Sequence, residues 1–436
     1  MDAHAVAPSG ADVGTHDRFG NPHAPALPYA RGQILTSTED DFRKLRQAWR
    51  YLSARIDAHG PEGVYNCSGL EHGLPLSADE LPVASDFVAP ALYFDRFRQA
   101  ALEHMSGTPE QHDAALFNRI TGATYSTHLT LVQPGDTVIA VSASYSHPSV
   151  LRAAAHVGAT LVDTAGLAEF EAALDREHRV ALVVITRLAV TYETMPQTDL
   201  ERVIELAKAR DIPVYVDDAG GARVGPALFD QPGMLELGAD LVATGLDKYG
   251  TSGPRLGVLT GKKSLVSRIR ARGFEMGMEA RPLLYPAAYR SLAESTPERV
   301  QQLHATSRAV AGSLREILGD RLHETPVISE LLADDILEIA MERAGLTSPP
   351  IVPFEASAVL ALLLVRDYGV LSVHLVGVPP GTAALMFKFI SPEALERFGG
   401  PDAFARAVDD CLNKLAELVD NPSAVSEFLF GREVAS

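Results

Sequence analysis

In the middle of the chain, a pair of aspartates follows one apolar segment and a lysine follows another. Together, these residue types can support one kind of chemistry. The run VYVDDAGGARVG ends its apolar part at Asp217 and Asp218, and the run ADLVATGLDKYG places Lys248 just beyond a second apolar segment. If both segments are parallel strands of one sheet, their carboxyl ends meet at the same edge. An amine and a carboxylate at that edge suit pyridoxal phosphate (PLP), which needs an amine to bind its aldehyde and an anion to keep its pyridine nitrogen protonated. The pair alone also allows a plainer interpretation, with Lys248 as a solvated loop lysine and Asp217 as a helix cap.

The segments around these residues alternate between patterns typical of strands and patterns typical of helices. Short β-branched runs such as DTVIAVS, VALVVITRLAV and IPVYVDD are separated by helical stretches such as PSVLRAAAHVG and DLERVIELAKARD. Strand, helix and strand in repeated order predict an α/β fold with a mostly parallel mixed sheet flanked by helices. After about residue 292 helices dominate, with one further strand in ALMFKFIS, which predicts a smaller α+β domain built from the two termini.

A chain of 436 residues favours two domains over one. We predict a flexible N-terminal arm over 1–33, the first part of the small domain over 34–90, a large cofactor-binding domain over 91–295, and the second part of the small domain over 296–436. Acidic residues in the first turn and a glycine stop predict a helix from Thr38 to about residue 60.

Composition limits the kinds of partner and compartment. The chain is 46% hydrophobic and 22% charged with a mean hydropathy of +0.04, which is typical of a soluble globular protein. Its net charge of −18 opposes binding to a polyanion such as tRNA or DNA. The only two cysteines, Cys67 and Cys411, exclude a disulfide framework and a multi-thiolate metal site, so no metal is expected and a reducing cytoplasm fits best. The longest apolar run, 356–365, is too short to span a membrane, and no export signal is indicated.

From about Phe117 to Leu292 the chain resembles PLP-dependent enzymes of the aspartate-aminotransferase fold, fold type I. The specific part of the resemblance is DDAGGARVG together with TGLDK. The longer segment GADLVATGLDKYGTSGPRLGVLTGKKSLVSRIRAR is most similar to the selenium transferases that act on seryl-tRNA. It is also similar to the related PLP-dependent monooxygenase-decarboxylases of capuramycin-type nucleoside antibiotic biosynthesis. Tryptophanase and tyrosine phenol-lyase are similar at greater distance.

The resemblance implies roles for three residues at the cofactor. Lys248 matches the lysine that forms the Schiff base, and Asp217 matches the carboxylate that bonds the pyridine nitrogen, with Asp218 as the alternative. YSHPSVLRAA is similar to the segment whose ring stacks on the cofactor, which implies His147, with Tyr145 as the alternative.

The family places its phosphate loop where this chain reads FNRITGATYSTHLTLVQPG. A helix that opens there would offer backbone N–H groups to the phosphate. The residues expected to take part are Arg119, Thr121, Gly122 and Ala123. Thr244 is a further candidate, although family members often have a serine nearer the lysine, where this chain has Gly245. An ordinary helix start is the alternative interpretation.

Three residues are candidates for binding the substrate. Tryptophanase-like members use an arginine of the small domain for the substrate carboxylate, and the corresponding strand here offers Lys388 instead. Arg281 in MEARPLLYP and His72 in NCSGLEHGLP flank the expected cleft, but each could equally be an interface or loop residue. Arg255 in TSGPR is expected at a neighbouring subunit's cofactor site, because these folds usually build their sites at the interfaces of homodimers or higher homo-oligomers.

The resemblance implies an enzyme that binds an α-amino acid as an external aldimine and forms a carbanion at Cα. Three outcomes stay open: decarboxylation, an O2-coupled decarboxylation that gives a carboxamide, and a lyase reaction. The expected partners are a small amino-acid substrate and, for the second outcome, O2. Selenium transfer to seryl-tRNA is the alternative, and a non-catalytic scaffold is a third, less favoured one.

Overall fold

The computed structural model describes residues 15–25, 27–373 and 383–432. Within these residues the chain forms two compact units, one made of Glu71–Gln301 and the other of 15–70 and 302–432. The predicted arm at 1–33 lies partly outside the described residues, because 1–14 and 26 are not among them. None of the helices in the described part of the chain is long and apolar enough to cross a membrane.

The unit Glu71–Gln301 contains a seven-stranded sheet. Its strands are β1 (His112–Phe117), β2 (Thr137–Ser142), β3 (Thr160–Ala165), β4 (Val180–Thr186), β5 (Val214–Asp217), β6 (Leu241–Gly245) and β7 (Gly257–Lys262). Their order across the sheet is β1-β7-β6-β5-β4-β2-β3. Strand β7 runs antiparallel to both of its neighbours, and every other neighbouring pair is parallel. The prediction of a mostly parallel mixed sheet is therefore confirmed.

Both faces of this sheet are buried, which explains why its strands are almost continuously apolar. In β2, Ile139 and Val141 belong to one hydrophobic cluster, whereas Val138 and Ala140 belong to another. Successive side chains of a strand point to opposite faces, so the two clusters are the two sides of the sheet. The helices of this unit are Val88–His104, Ile120–Leu131, Pro148–His156, Gly166–Arg176, Gln197–Lys208, Gly221–Phe229, Lys263–Glu275 and Tyr285–Ala293.

One short helix lies where the sequence suggested only a glycine-rich turn. After Asp218 the chain makes a brief turn and then forms the helix Gly221–Phe229. Its glycines allow close packing: a β-carbon built at Gly225 would lie 2.8 Å from a guanidinium nitrogen of Arg187. The glycines therefore serve the close approach of a buried side chain and do not end the regular structure.

The second unit is an α+β structure, as predicted. Its helices are Thr38–His59, most of Pro297–Leu318, Ala333–Ala344, Pro353–Leu363, Pro392–Phe398, Pro401–Leu418 and Pro422–Phe430. Strands Leu322–Glu324, Ser329–Leu332 and Ala384–Phe387 form an antiparallel sheet, and Tyr65–Asn66 pairs in parallel with Val370–Leu371. The first helix begins after Ser37, whose hydroxyl accepts the N–H of Asp40, and ends at Gly60.

Candidate active site

The candidate site lies at the carboxyl ends of β5 and β6. The two strands pair in parallel with Asp217 opposite Ala243, so Asp217 and the loop that follows Gly245 lie at one edge of the sheet. Lys248 is in that loop and is half-buried. The sequence prediction that the two strands end at a common edge is confirmed.

Asp217 carries a buried oxygen for which the described residues provide no hydrogen-bond partner. The residue is 3% exposed, and no donor within the described part of the chain bonds its Oδ1. Burial, with a contribution from the neighbouring Asp218, raises the pKa of Asp217 to about 7, although Lys248 and the Ala219 N–H oppose this change. A protonated pyridine nitrogen would supply both the missing donor and a positive charge, so this carboxylate fits PLP.

Asp218 is engaged elsewhere. Both of its oxygens accept hydrogen bonds from Arg187, at 3.1 Å from Nε and 2.5 Å from Nη2, and both side chains are 1% exposed. A bidentate buried ion pair of this kind leaves Asp218 without an oxygen to offer a cofactor. Sequence reasoning did not identify Arg187, although an arginine directly after the apolar strand β4 was a usable signal.

Lys248 is held by its own loop. Its backbone N–H donates to the Thr251 hydroxyl at 3.0 Å, and that hydroxyl donates to the Lys248 carbonyl at 2.8 Å. Burial, together with Arg255 and Arg223, lowers the pKa of Lys248, against the opposing effects of Asp247 and Asp217. A lowered pKa increases the fraction of neutral amine, which is the form that attacks an aldehyde.

His147 is the N-cap of the helix Pro148–His156. Its Nδ1 accepts the backbone N–H of Ser149 at 3.2 Å, so the ring carries its proton on Nε2 when neutral. Burial, together with Lys248 and nearby arginines, lowers the pKa of His147 to about 3. The ring is therefore neutral at physiological pH, which suits stacking on an aromatic ring. The alternative residue, Tyr145, is also half-buried.

The predicted phosphate loop is a helix N-terminus. The helix Ile120–Leu131 begins one residue earlier than Thr121, with Arg119 as its N-cap. The N–H groups of Gly122 and Ala123 donate to the Arg119 carbonyl, whereas those of Ile120 and Thr121 have no acceptor within the described ranges. Two N–H groups and the Thr121 hydroxyl thus stand at the positive end of a helix dipole, where a phosphate binds well.

The charges of two arginines, Arg119 and Arg255, act on each other near this helix start. Burial and the charge of Arg119 lower the pKa of Arg255, and both arginines also contribute to the lowered pKa of His147. Arg255 is still expected at a neighbouring subunit's cofactor site, and within its own chain its guanidinium feels the charge of Arg119. A doubly charged anion between the two arginines would relieve their repulsion, which fits the phosphate of PLP.

Thr244 and Gly245 lie at the end of β6, where Thr244 was a candidate to bind the phosphate and Gly245 replaces a serine found in family members. The Thr244 hydroxyl is buried and donates to the Ala219 carbonyl at 3.3 Å, so it already has an acceptor. A β-carbon built at Gly245 would lie 2.9 Å from Oδ1 of Asp247 and 3.3 Å from Cε of Lys248. The serine that family members often carry at this position has no room here.

The three substrate candidates are in different surroundings. His72 joins the Lys248 loop, because its Nε2 is 2.8 Å from Oδ2 of Asp247. Arg281 is 69% exposed and pairs with Asp86. Lys388 belongs to the other unit, where it is buried and where burial lowers its pKa to about 7.

This sheet topology, with a lysine and an unpartnered carboxylate at its carboxyl edge, defines the PLP-dependent enzymes of fold type I. Residues 98–316 match the family model described as Cys/Met metabolism PLP-dependent enzyme, and the chain belongs to that family. The resemblance to fold type I and the expected PLP cofactor are both confirmed at this level.

Relatives and solved structures agree with this assignment. A UPF0425 pyridoxal phosphate-dependent protein from Methanothermobacter thermautotrophicus is 31% identical over 363 residues, covering 83% of this chain and 91% of the relative. A protein of the same description from Methanosphaera stadtmanae is 25% identical over 392 residues, covering 89% and 98%. The structure of an aspartate aminotransferase from Thermotoga maritima shares the fold, with a TM-score of 0.53 and 16% identity over 84% of this chain and 97% of that chain.

Proposed function

We propose that this protein uses PLP to break a bond at or next to Cα of a free α-amino acid or of a small metabolite that carries one. The observation that carries the proposal is the unpartnered Oδ1 of buried Asp217 beside Lys248. A buried carboxyl with a raised pKa and one oxygen without a donor among the described residues is unfavourable for the fold alone, and such groups concentrate at functional sites. The family supports the same class of substrate, because its description refers to cysteine and methionine metabolism.

Each residue of the site has a proposed task. Lys248 binds the cofactor aldehyde through its amine and, once displaced by substrate, holds the proton exchanged at Cα. Asp217 keeps a positive charge on the pyridine nitrogen, and His147 packs its neutral ring against the cofactor face. Arg119 and Arg255 hold the phosphate at the start of the helix Ile120–Leu131, where the N–H groups of Ile120 and Thr121 take the place predicted for Gly122 and Ala123, whose N–H groups donate to the Arg119 carbonyl. Bound PLP supplies an electron-withdrawing ring that stabilises negative charge at Cα of the substrate.

Three reactions are compatible with this set of residues: loss of the carboxylate, the same loss coupled to O2, and elimination of a side-chain group. The sequence similarity to the capuramycin-type monooxygenase-decarboxylases supports the second, and membership of the Cys/Met family supports the third. All three need the same pair of Lys248 and Asp217. Which bond is cleaved would depend on how the residues of the site orient the substituents of Cα.

The experiment that separates these reactions is a substrate panel with two atmospheres. Purified protein loaded with PLP is incubated with cysteine, methionine, serine, aromatic and nucleoside-linked amino acids, under air and under nitrogen. O2-dependent release of CO2 would identify a monooxygenase-decarboxylase, and O2-independent release of CO2 a decarboxylase. Ammonia with a freed side-chain group would identify a lyase. Lys248→Arg is the negative control, because it keeps the charge but cannot bind the aldehyde.

Selenium transfer to seryl-tRNA is a second candidate, supported by the similarity of the TGLDK segment to those transferases. The net charge of −18 opposes it, because docking of a tRNA needs a basic surface. If seryl-tRNA, and no free amino acid, changed the visible spectrum of the PLP-loaded protein, the amino-acid proposal would be wrong. A non-catalytic scaffold would show no such change with either. Cytoplasmic localisation and a homo-oligomeric state remain predictions from the sequence.

A further inference from the structure

A second titratable pair lies directly beside the cofactor lysine. Asp247 precedes Lys248 in the chain, is buried, and places its Oδ2 2.8 Å from Nε2 of His72. Although burial opposes it, Lys248 and His72 hold the pKa of Asp247 below its ordinary value, with a further contribution from Arg255. Asp247 is therefore a carboxylate that accepts a proton of His72.

The other oxygen of Asp247 and the side chain of Lys248 both border the space beside Gly245. The space that a side chain at Gly245 would fill is bordered by Oδ1 of Asp247 at 2.9 Å and by Cε of Lys248 at 3.3 Å. Asp247 thus has one oxygen on His72, and its charge interacts with that of Lys248. The missing β-carbon of Gly245 makes this arrangement possible.

The backbone holds His72 against the Lys248 loop on both sides. The N–H of Glu71 donates to the Asp247 carbonyl at 3.0 Å, and a β-carbon at Gly73 would collide with the Ser252 carbonyl. The imidazole is 30% exposed, and its Nδ1 has no hydrogen-bond partner in the part of the chain that the structure describes. His72 therefore has one nitrogen fixed on a buried carboxylate and the other open.

A histidine in this state is built for proton transfer. A carboxylate on one ring nitrogen fixes the tautomer and stabilises the imidazolium, and the open nitrogen then gives or takes a proton. A residue that only held the loop in place would need no titratable ring, since an amide side chain would make the same hydrogen bond. Lys248 handles the proton at Cα, so a second acid–base group is useful only where the reaction moves a second proton.

We propose that His72 is the acid that protonates a side-chain leaving group of the substrate, with Asp247 as its positioning residue. The inference rests on the proposed function and selects its lyase form. Lys248 takes the Cα proton, and that electron pair forms a double bond to Cβ. The bond from Cβ to the heteroatom breaks with its pair on the heteroatom, which takes a proton from Nδ1 of His72. The ring gives this proton as the imidazolium and regains one from solvent, while Lys248 releases the Cα proton to solvent, so atoms and charges balance.

Two β-substituted alanines test this role, because they differ in whether the leaving group needs a proton. Chloride leaves β-chloro-L-alanine without an acid, whereas hydroxide leaving L-serine needs one. His72→Gln should reduce turnover of L-serine by about 10²–10⁴-fold and that of β-chloro-L-alanine only a few-fold. His72→Ala should likewise lose much more turnover of L-serine than of β-chloro-L-alanine, and added imidazole should restore the reaction with serine. His323→Gln is the matched control, because His323 also places Nε2 2.9 Å from a buried aspartate, in the other unit, and is 46% exposed.

A measurement on cofactor-free protein keeps the inference separate from the proposed function. Nitrogen-15 NMR should show neutral His72 protonated on Nε2, and Asp247→Ala should remove that preference. A neutral ring that carries its proton on Nδ1 and not on Nε2, an equal loss for both substrates, or no turnover of either by the wild type would each overturn the assignment. If PLP and borohydride failed to label Lys248, the proposed function would fail, while the NMR result would still report on the pair of His72 and Asp247.

Discussion

Replacing Asp217 by asparagine should stabilise the cofactor-free protein at alkaline pH. The substitution removes a buried negative charge whose Oδ1 has no donor within the described residues. The folded protein holds the proton of this carboxyl more tightly than the unfolded chain, because its pKa is raised from 3.8 to about 7. Wild-type stability therefore falls as pH rises from the unfolded to the folded pKa, and the full penalty is present above about pH 7.

The size of the effect follows from these two pKa values. A gap of about three pH units corresponds to about 4 kcal/mol, at about 1.4 kcal/mol per unit. The asparagine amide leaves a buried NH2 group without an acceptor, which costs about 1–3 kcal/mol. The net gain is thus about 1–3 kcal/mol at about pH 8, whereas at about pH 5 variant and wild type should be nearly equal.

Thermal unfolding of the PLP-free proteins across this pH range measures the difference in stability between Asp217→Asn and wild type. Asp218→Asn is the matched control, because it leaves the buried Arg187 guanidinium unpaired and should lose about 3–5 kcal/mol at every pH. The reasoning is refuted if Asp217→Asn is the less stable protein at about pH 8, or if its difference from wild type does not change with pH. The same variant should bind PLP but turn substrate over far more slowly, since an amide cannot hold the pyridinium charge.

Three further predictions concern the cofactor site. Arg255→Ala should weaken PLP binding about 10- to 100-fold in equilibrium dialysis, the value of one charge-assisted hydrogen bond, whereas the exposed Arg281→Ala should not. Gly245→Ser should reduce PLP loading, measured by absorbance, because its β-carbon would press on Asp247 and Lys248; normal loading would contradict the packing described. His147→Phe should retain PLP affinity within a few-fold and His147→Ala should lose more, because the neutral ring acts through stacking.

The fold was predictable because local pattern and burial agree along most of the chain. Runs such as VALVVIT are apolar on both sides, as a strand covered by helices on both faces requires. The edge strand β1, HDAALF, was not predicted because it lacks β-branched residues and is fixed by pairing with β7. The helix Gly221–Phe229 was missed because its glycines resemble a turn, and their role appears only once Arg187 packs against them.

The candidate site was predictable where it depends on strand ends. Asp217 and Lys248 follow neighbouring parallel strands, so their meeting is a consequence of topology. The preference for Asp217 over Asp218 came from the family resemblance and not from the strand ends, and the ion pair of Asp218 with Arg187, 31 residues away, adds a separate argument for it. The pairing of His72 with Asp247 joins residues 175 positions apart, and no periodicity in the sequence indicates it.

The central claim is that Lys248 holds PLP and that Asp217 pairs with its pyridine nitrogen, and reduction of the PLP-loaded protein with borohydride tests the first part most directly. The reduced cofactor becomes permanently attached to its lysine, and peptide mapping by mass spectrometry then locates it. We predict a pyridoxyl label on Lys248 and its loss in Lys248→Ala. A label on Lys262 or Lys263, or full labelling that survives in Lys248→Ala, would contradict the account.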